Sequence, residues 1–97
     1  MKVNLIKDDK KLTIMLEGCL DSFTAPEVEE IIDENLNGID ELVMDLEKLE
    51  YLSSTGLRVF LMMAKRLGSE HLLVDNANAL VREIFETTGF TDVVVVR

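Results

Sequence analysis

The sequence predicts an α/β fold: a mixed, mainly parallel sheet of about five strands, with an N-terminal hairpin and three helices. Two strand patterns flank the polar run Asp8-Asp9-Lys10, and this arrangement predicts the hairpin. From there to the end of the chain, helix and strand patterns alternate, which favours right-handed crossovers and parallel strands. We expect residues 1–97 to form one domain, since a chain of this length can bury a core of its own.

The hairpin is followed by a turn and the first helix. The hairpin strands are predicted at residues 2–7 and 11–17, and Met15 breaks the alternation of the second strand, which indicates that both of its faces are at least partly covered. A turn is predicted at residues 18–23. A helix then begins with Thr24 as N-cap, a proline in its first turn and a glutamate three residues beyond the cap, and Asn37-Gly38 ends it.

The later elements follow the same alternation. Residues 41–46 form an almost continuous apolar run, which is typical of a strand buried on both faces. The elements predicted after it are a helix from 55 to about 67, a strand at 72–74, a helix capped by Asn78 that runs to about 87, and a strand at 93–96.

Three loops are predicted at the carboxyl ends of the parallel strands, at residues 18–24, 47–54 and 75–78. Ligands and partners of such sheets meet these loops. If the second, third and fourth strands are neighbours, one rim of the sheet should collect four polar side chains: Asp21, Ser53, Ser54 and Asn76.

Three hydroxyl side chains and a glycine, Ser53-Ser54-Thr55-Gly56, stand where a strand pattern gives way to a helix pattern. A helix start has unpartnered N–H groups and a partial positive charge, so it favours a hydroxyl acceptor and tolerates an anion such as a phosphate. Two interpretations compete. Either these hydroxyls only cap the helix, or one of them is a switch whose phosphorylation changes what the surface binds.

The second predicted helix has more apolar residues than its core contact needs. At 100° per residue, a sufficient core stripe is formed by Leu57, Phe60, Leu61, Ala64 and Leu67. Val59 and Met62 are then predicted to project from the other side, beside Arg58, Lys65 and Arg66. A docked partner would explain this apolar and basic patch. The alternative interpretation is that another part of the chain covers these two residues, or that they are simply exposed.

Composition excludes several function classes. The formal charge of −9 would repel a nucleic-acid backbone and an anionic membrane surface. No segment approaches the roughly 20 apolar residues of a membrane span, and the charged start does not resemble a secretory signal, so we expect a cytoplasmic protein. The single Cys19 is expected to be a buried structural thiol, and no residue cluster predicts a metal site or a cofactor.

Catalysis is not expected either. A serine-hydrolase elbow needs a glycine two residues before its nucleophile, and Leu52 occupies that position relative to Ser54. The only histidine, His71, falls at the start of the fourth strand, where we expect it to lie at the opposite end of the sheet from the hydroxyls. It is therefore a poor candidate for a general base.

Four segments, taken in order, resemble the STAS domain family. The resemblance covers essentially the whole chain. Within the family, the chain most resembles the bacterial anti-sigma factor antagonists. The segments are Gly18-Cys19-Leu20-Asp21, Thr24-Ala25-Pro26-Glu27, Val43-Met44-Asp45-Leu46 with Leu49, and Leu52-Ser53-Ser54-Thr55-Gly56-Leu57.

The resemblance implies a partner-switching protein. In that family, the serine corresponding to Ser54 is phosphorylated by an anti-sigma factor that is also a serine/threonine kinase, and a metal-dependent protein phosphatase reverses the modification. The unmodified antagonist binds the anti-sigma factor and frees a sigma factor. Asp21 matches the family's acidic residue near the switch. We expect a monomer when free, and a partner surface made of Asp21, Ser53, Ser54, Thr55, Gly56, Arg58, Val59 and Met62.

The chain also departs from the family pattern. Ser53 replaces an aspartate that many phosphorylated antagonists carry before the switch serine, which leaves Ser53 and Thr55 as alternative acceptors. The chain ends at Arg97, without the terminal helix of many relatives. Two further functions occur among STAS proteins and remain alternatives: a subunit of an ABC-type phospholipid transporter, and a module that binds a nucleotide or another small ligand.

Overall fold

A computed structural model describes all of residues 1–97. It contains five strands, three α-helices and two short 3-10 turns. In chain order these are β1 (Lys2–Asp8), β2 (Lys11–Leu20), α1 (Ala25–Asn35), β3 (Glu41–Leu52), α2 (Ser54–Leu67), a 3-10 turn (Ser69–His71), β4 (Leu72–Asp75), α3 (Ala79–Thr87), a second 3-10 turn (Phe90–Asp92) and β5 (Val95–Val96).

The five strands form one sheet in sequential order, β1-β2-β3-β4-β5. β1 pairs with β2 in antiparallel fashion, and all other pairs are parallel. Because each right-handed crossover advances by one strand in the same direction, all three helices pack on one face. They contribute to a single core cluster of 24 buried residues. The predicted mixed sheet with its hairpin and three helices is confirmed.

β2 and β3 are longer than the sequence patterns indicated. They pair from Lys11 opposite Glu41 to Leu20 opposite Leu52, with register shifts near Glu17 and Gly18. The predicted turn at residues 18–23 is therefore wrong at residues 18–20 and correct at residues 21–23, and the predicted loop at 47–54 is wrong at residues 47–52. Local charge and a glycine favoured loops there, but pairing between the two strands supplies the backbone hydrogen bonds that decide the structure.

This pairing extends β2 and β3 beyond β4. β4 ends at Asp75, which lies opposite Asp45, so β3 continues for seven residues past that point. At about 3.3 Å per strand residue, the extension is on the order of 20 Å long. The last predicted strand is shorter than expected because residues Phe90–Asp92 form a 3-10 turn and only Val95–Val96 pair with β4.

The face of the sheet opposite the helices is covered by no other element. A register row crosses this face through Ile6, Thr13, Val43, Leu73 and Val95. Val43 is only 4% exposed although it is not part of the core cluster, since its flanking strands shield it. Ile6 at the edge is 56% exposed. The prediction that β3 is buried on both faces is confirmed at residues 42–44: Leu42 and Met44 belong to the core on the helix side, and Val43 is buried on the other side by its flanking strands.

α2 packs unusually close to the end of β2. A Cβ atom added to Gly56 would lie 2.6 Å from the Leu20 carbonyl oxygen and 2.7 Å from the Leu52 Cδ1 atom. Only hydrogen fits there, and a backbone carbonyl cannot move aside as a flexible side chain would. Gly56 therefore sets the distance between the start of α2 and the β2–β3 extension.

We predict that Gly56→Ala destabilises the protein. In an open helix the change would stabilise by up to about 1 kcal/mol, so the sign is diagnostic. Here the added methyl overpacks a tight contact, and we expect a loss of about 1–3 kcal/mol in the free energy of unfolding, measured by urea denaturation. Ser54→Ala, an exposed position on the same turn, is the control and should change stability by less than about 0.5 kcal/mol. A Gly56→Ala variant as stable as the wild type would contradict the close contact.

Candidate functional site

The candidate site lies where β2 and β3 end together and α2 begins. Immediately after β3, the Ser53 N–H donates to the Leu20 carbonyl oxygen at 2.9 Å. This bond joins the strand end that leads into α2 to the strand end that leads into the Asp21 loop. Asp21, Ser53 and Ser54 therefore lie at one edge of the sheet, as the sequence predicted.

The structure separates the roles of the three hydroxyls. Ser53 has extended backbone angles, with φ −85° and ψ 172°, and its Oγ accepts from the Gly56 N–H at 3.1 Å. Ser53 is therefore the N-cap. Ser54 is the first helical residue, is exposed, and its hydroxyl makes no hydrogen bond within the chain. Thr55 is half-buried. Capping and an available hydroxyl thus belong to different residues.

The loop between β2 and α1 is organised by the Asp21 carboxylate. Its Oδ1 accepts from the Phe23 N–H at 2.9 Å and from the Thr24 N–H at 3.1 Å. These backbone donors, Phe23 first and Thr24 second, lower the pKa of Asp21. Anionic Asp21 is thereby held near Ser54, since both follow paired strand ends.

Thr24 does not cap α1 in the predicted way. It occupies the N-cap position, but its backbone is helical, with φ −95° and ψ −24°, and its side chain accepts no bond from the helix. The Thr24 hydroxyl instead accepts from the Asp21 N–H at 2.9 Å and donates to the Cys19 carbonyl oxygen at 2.8 Å. The loop bonds compete successfully for this side chain.

Three other residues lie away from the predicted cluster or in a different environment. Asn76 hydrogen-bonds Asp45 at 3.2 Å, level with the end of β4, so the β2–β3 extension separates it from Ser54. The Cys19 thiol is exposed, and the prediction of a buried thiol is wrong, because β2 continues to Leu20 and its alternation places Cys19 on the face opposite the buried Leu16 and Leu20. His71 precedes β4 and faces Glu70, at the opposite end of the sheet from the hydroxyls.

The outer face of α2 carries an open groove of about 340 Å³. It is lined by Arg58, Leu61, Met62, Lys65 and Arg66. Met62 lies on this face as predicted and is half-buried, whereas the assignment of Leu61 to the core stripe is wrong, since Leu61 is half-buried and lines the groove.

Val59 does not lie in the groove: its predicted place on the outer face is wrong, and the alternative that another part of the chain covers it is correct. It is 0% exposed and belongs to the core. The buried face of α2 also includes Gly56 and Met63, which widens it beyond the predicted stripe and brings Val59 into contact with the core. Gly56 and Val59 are both buried. They therefore lie beneath the partner surface that the sequence predicted, and they support it from the core side.

None of the helices has the length and apolar character needed to cross a bilayer.

We predict that the Asp21 bonds stabilise the loop only while the carboxyl is ionised. The folded-state pKa lies below the ordinary value of 3.8, so the stabilisation is complete above that value and is lost as the pH falls through the lowered pKa. Asp21→Ala should lower the free energy of unfolding at neutral pH, and the difference from wild type should shrink on acidification. Asp8→Ala, an exposed carboxylate on β1, is the control. An Asp21 carboxyl that titrates at or above 3.8 by NMR would contradict this account.

Comparisons with known proteins agree with this architecture. A family profile described as "Mlab, STAS domain" matches residues 3–96. A Bordetella bronchiseptica protein named as an anti-sigma factor antagonist, BtrV, is 36% identical over 96 residues, which cover 96% of this chain and 83% of BtrV.

Solved structures show the same fold. An anti-sigma factor antagonist from Mycobacterium paratuberculosis superposes with a TM-score of 0.87 at 25% identity, over 98% of this chain and 83% of that one. The anti-sigma factor antagonist SpoIIAA in its unphosphorylated form gives a TM-score of 0.85 at 18% identity, over 99% of this chain and 88% of SpoIIAA. The phosphorylated form of SpoIIAA, from Bacillus, gives 0.76 at 17% identity, over 99% and 91%. The profile match over nearly all of the sequence, together with the similarity to BtrV, shows that this chain belongs to the STAS domain family.

Proposed function

We propose that this protein is an anti-sigma factor antagonist whose binding is switched by phosphorylation of Ser54. In its unmodified form it binds an anti-sigma factor that is also a serine/threonine kinase, and so frees a sigma factor. A metal-dependent protein phosphatase restores the unmodified form. The protein acts in the cytoplasm, is a monomer when free and has no catalytic activity of its own. The similarity to antagonists over almost the whole chain supports this assignment.

The free hydroxyl of Ser54 is the observation that carries the proposal. A kinase needs an exposed acceptor, and Ser54 is exposed and without an internal hydrogen-bond partner. Ser53 is half-buried and its Oγ already accepts from the Gly56 N–H, so a kinase reaches it less readily and its modification would rearrange the cap of α2. Thr55 is half-buried as well. Of the three hydroxyls, Ser54 is modified at the least cost to the fold.

A phosphate on Ser54 would change the surface while keeping the fold. It adds about −1.5 to −2 charges, and the start of α2 holds an anion with a gain of about 0.3–1 kcal/mol. In a desolvated contact the same dianion introduces repulsion and a desolvation cost. A penalty of about 3 kcal/mol already weakens a complex more than a hundredfold. Asp21 follows the strand end that is bonded to Ser53, next to Ser54, and its carboxylate is kept ionised by its loop bonds.

The partner surface that we propose is smaller than the sequence suggested. It comprises Asp21, Ser54, Arg58 and Met62, each at least partly exposed. Ser53 and Thr55 contribute through their half-buried positions at the helix start. Gly56 and Val59 are buried and act only by positioning α2.

We predict that Ser54→Ala abolishes phosphorylation by the cognate anti-sigma kinase and keeps partner binding, because the hydroxyl is the acceptor and not a required contact. Ser54→Asp should weaken the complex through its negative charge. The measurements are phosphosite mapping by mass spectrometry and calorimetric titration against the purified kinase.

Ser53→Ala and Thr55→Ala are the matched controls. Thr55→Ala should remain a substrate, and Ser53→Ala should remain one with stability reduced by about 0.5–2 kcal/mol through loss of the cap. Phosphate incorporated into Ser54→Ala, or lost from Thr55→Ala, would contradict the assignment of the acceptor. If the unmodified protein instead captures an ABC-type permease or ATPase, the transporter-subunit alternative replaces the switch.

A further inference from the structure

The groove on α2 combines features that point to the chemistry of its occupant. We infer that Arg58, Leu61, Met62, Lys65 and Arg66 receive an acidic, amphipathic helical segment of the partner protein, which lies along α2. This inference rests on the proposed function, because it names the chemistry of the partner surface that the antagonist binds. It goes further by specifying what the partner segment presents to this surface: two carboxylates with apolar side chains between them.

The floor of the groove is apolar. Leu61 and Met62 are both half-buried, so each presents part of its side chain to the groove and part to its neighbours. Met is unbranched and adapts its shape to what covers it, which suits a surface that forms a contact in one state and is exposed in another. A partner that fills the groove therefore needs apolar side chains that reach this floor.

The walls of the groove are basic on a strongly acidic molecule. Three of the ten Lys and Arg residues of a chain with net charge −9 line it. Arg66 forms an ion pair with Asp33 of α1. Arg58 and Lys65 have no carboxylate within salt-bridge distance, as is true of most Lys and Arg residues of this chain. What sets them apart is their position beside Arg66 on one face of α2, next to two apolar side chains. Such a cluster of cations on an acidic molecule is complementary to carboxylates from outside.

The spacing of these cations indicates the form of the partner. Arg58 and Lys65 are seven residues apart on α2, or about 10 Å along the helix axis. Two carboxylates separated by about two turns of a partner helix match this spacing, and the apolar residues between them would face Leu61 and Met62.

Other anionic partners fit the groove less well. A nucleic acid or an anionic membrane presents an extended charged surface that would also meet the remaining acidic surface of this protein. A helical segment seated in the groove meets only charges within about one Debye length, roughly 8 Å at physiological ionic strength. Phosphate groups also offer nothing to the apolar floor.

The groove is continuous with the proposed switch. Ser54, Arg58, Leu61 and Lys65 follow the spacing i, i+4, i+7 and i+11, so they form one stripe along α2. Positions four apart have Cβ atoms about 5–6 Å apart, and a phosphate forms strong charge-assisted bonds with arginine. A phosphate on Ser54 therefore competes with the partner's carboxylate for Arg58.

The test measures binding of the purified anti-sigma kinase by calorimetry. Arg58→Glu and Lys65→Glu should each weaken binding by about tenfold or more, and the loss should shrink at high salt. Lys7→Glu is the control: it makes the same charge change at an exposed lysine of β1 that forms no ion pair, and it should leave the affinity nearly unchanged. Thermal unfolding verifies that every variant is folded. Replacing the facing kinase carboxylate by lysine should restore binding to Lys65→Glu.

The outcomes separate the two proposals. If the kinase does not bind the wild type at all, both the proposed function and this inference fail. If it binds the wild type and the groove variants with equal affinity, only the inference is overturned. If Lys7→Glu loses as much affinity as the groove variants, net charge alone explains the loss and the inference is overturned as well. If sedimentation velocity shows a wild-type dimer that Lys65→Glu dissociates, the occupant is a second copy of this chain and the inference is wrong.

The competition for Arg58 has its own measurement. With phosphoserine installed at position 54 by genetic code expansion, the phosphate should weaken kinase binding less in Arg58→Ala than in the wild type, by about threefold or more. An equal phosphate penalty in both backgrounds would overturn the competition.

Discussion

The contact between Gly56 and the Leu20 carbonyl oxygen is the constraint on which the site depends. It exists because β2 and β3 remain paired well beyond the end of β4, so that the strand end leading to Asp21 and the one leading to α2 finish side by side. The bond from the Ser53 N–H to Leu20 fixes the same junction. A side chain at position 56 would push α2 away from β2. It would thereby also separate Ser54 from the loop that contains Asp21.

The junction then divides two roles that the sequence left combined. Ser53 satisfies the orphan N–H of Gly56, while Ser54 is free for chemistry. A helix whose switch residue was also its cap would have to rearrange that cap on every modification. Here a phosphate would be added beside an intact cap and near the positive end of α2, which is why we expect regulation of binding without unfolding. The groove along the same stripe extends the proposed partner surface over about three turns of the helix.

Much of the fold could be predicted because local and global preferences agree. Asn78 caps α3 through its bond to the Val81 N–H, and Gly89 is in the left-handed region just beyond that helix, as expected from their residue types. The predictions that were wrong concern long-range pairing. The extension of β2 and β3 depends on each strand finding the other, which no local pattern records. The burial of Val59 depends on how much of α2 the core covers, and the exposure of Cys19 depends on the continuation of β2 to Leu20, which places residue 19 on the face opposite the core.

The central claim is that the modification state of Ser54 decides whether this protein binds its partner. The most direct measurement titrates the purified anti-sigma kinase with unmodified protein and with protein carrying phosphoserine at position 54, and follows the fold of both by NMR. The account predicts that phosphorylation weakens binding about a hundredfold or more while the resonances of the sheet and core are retained. Equal affinity of the two forms would contradict it.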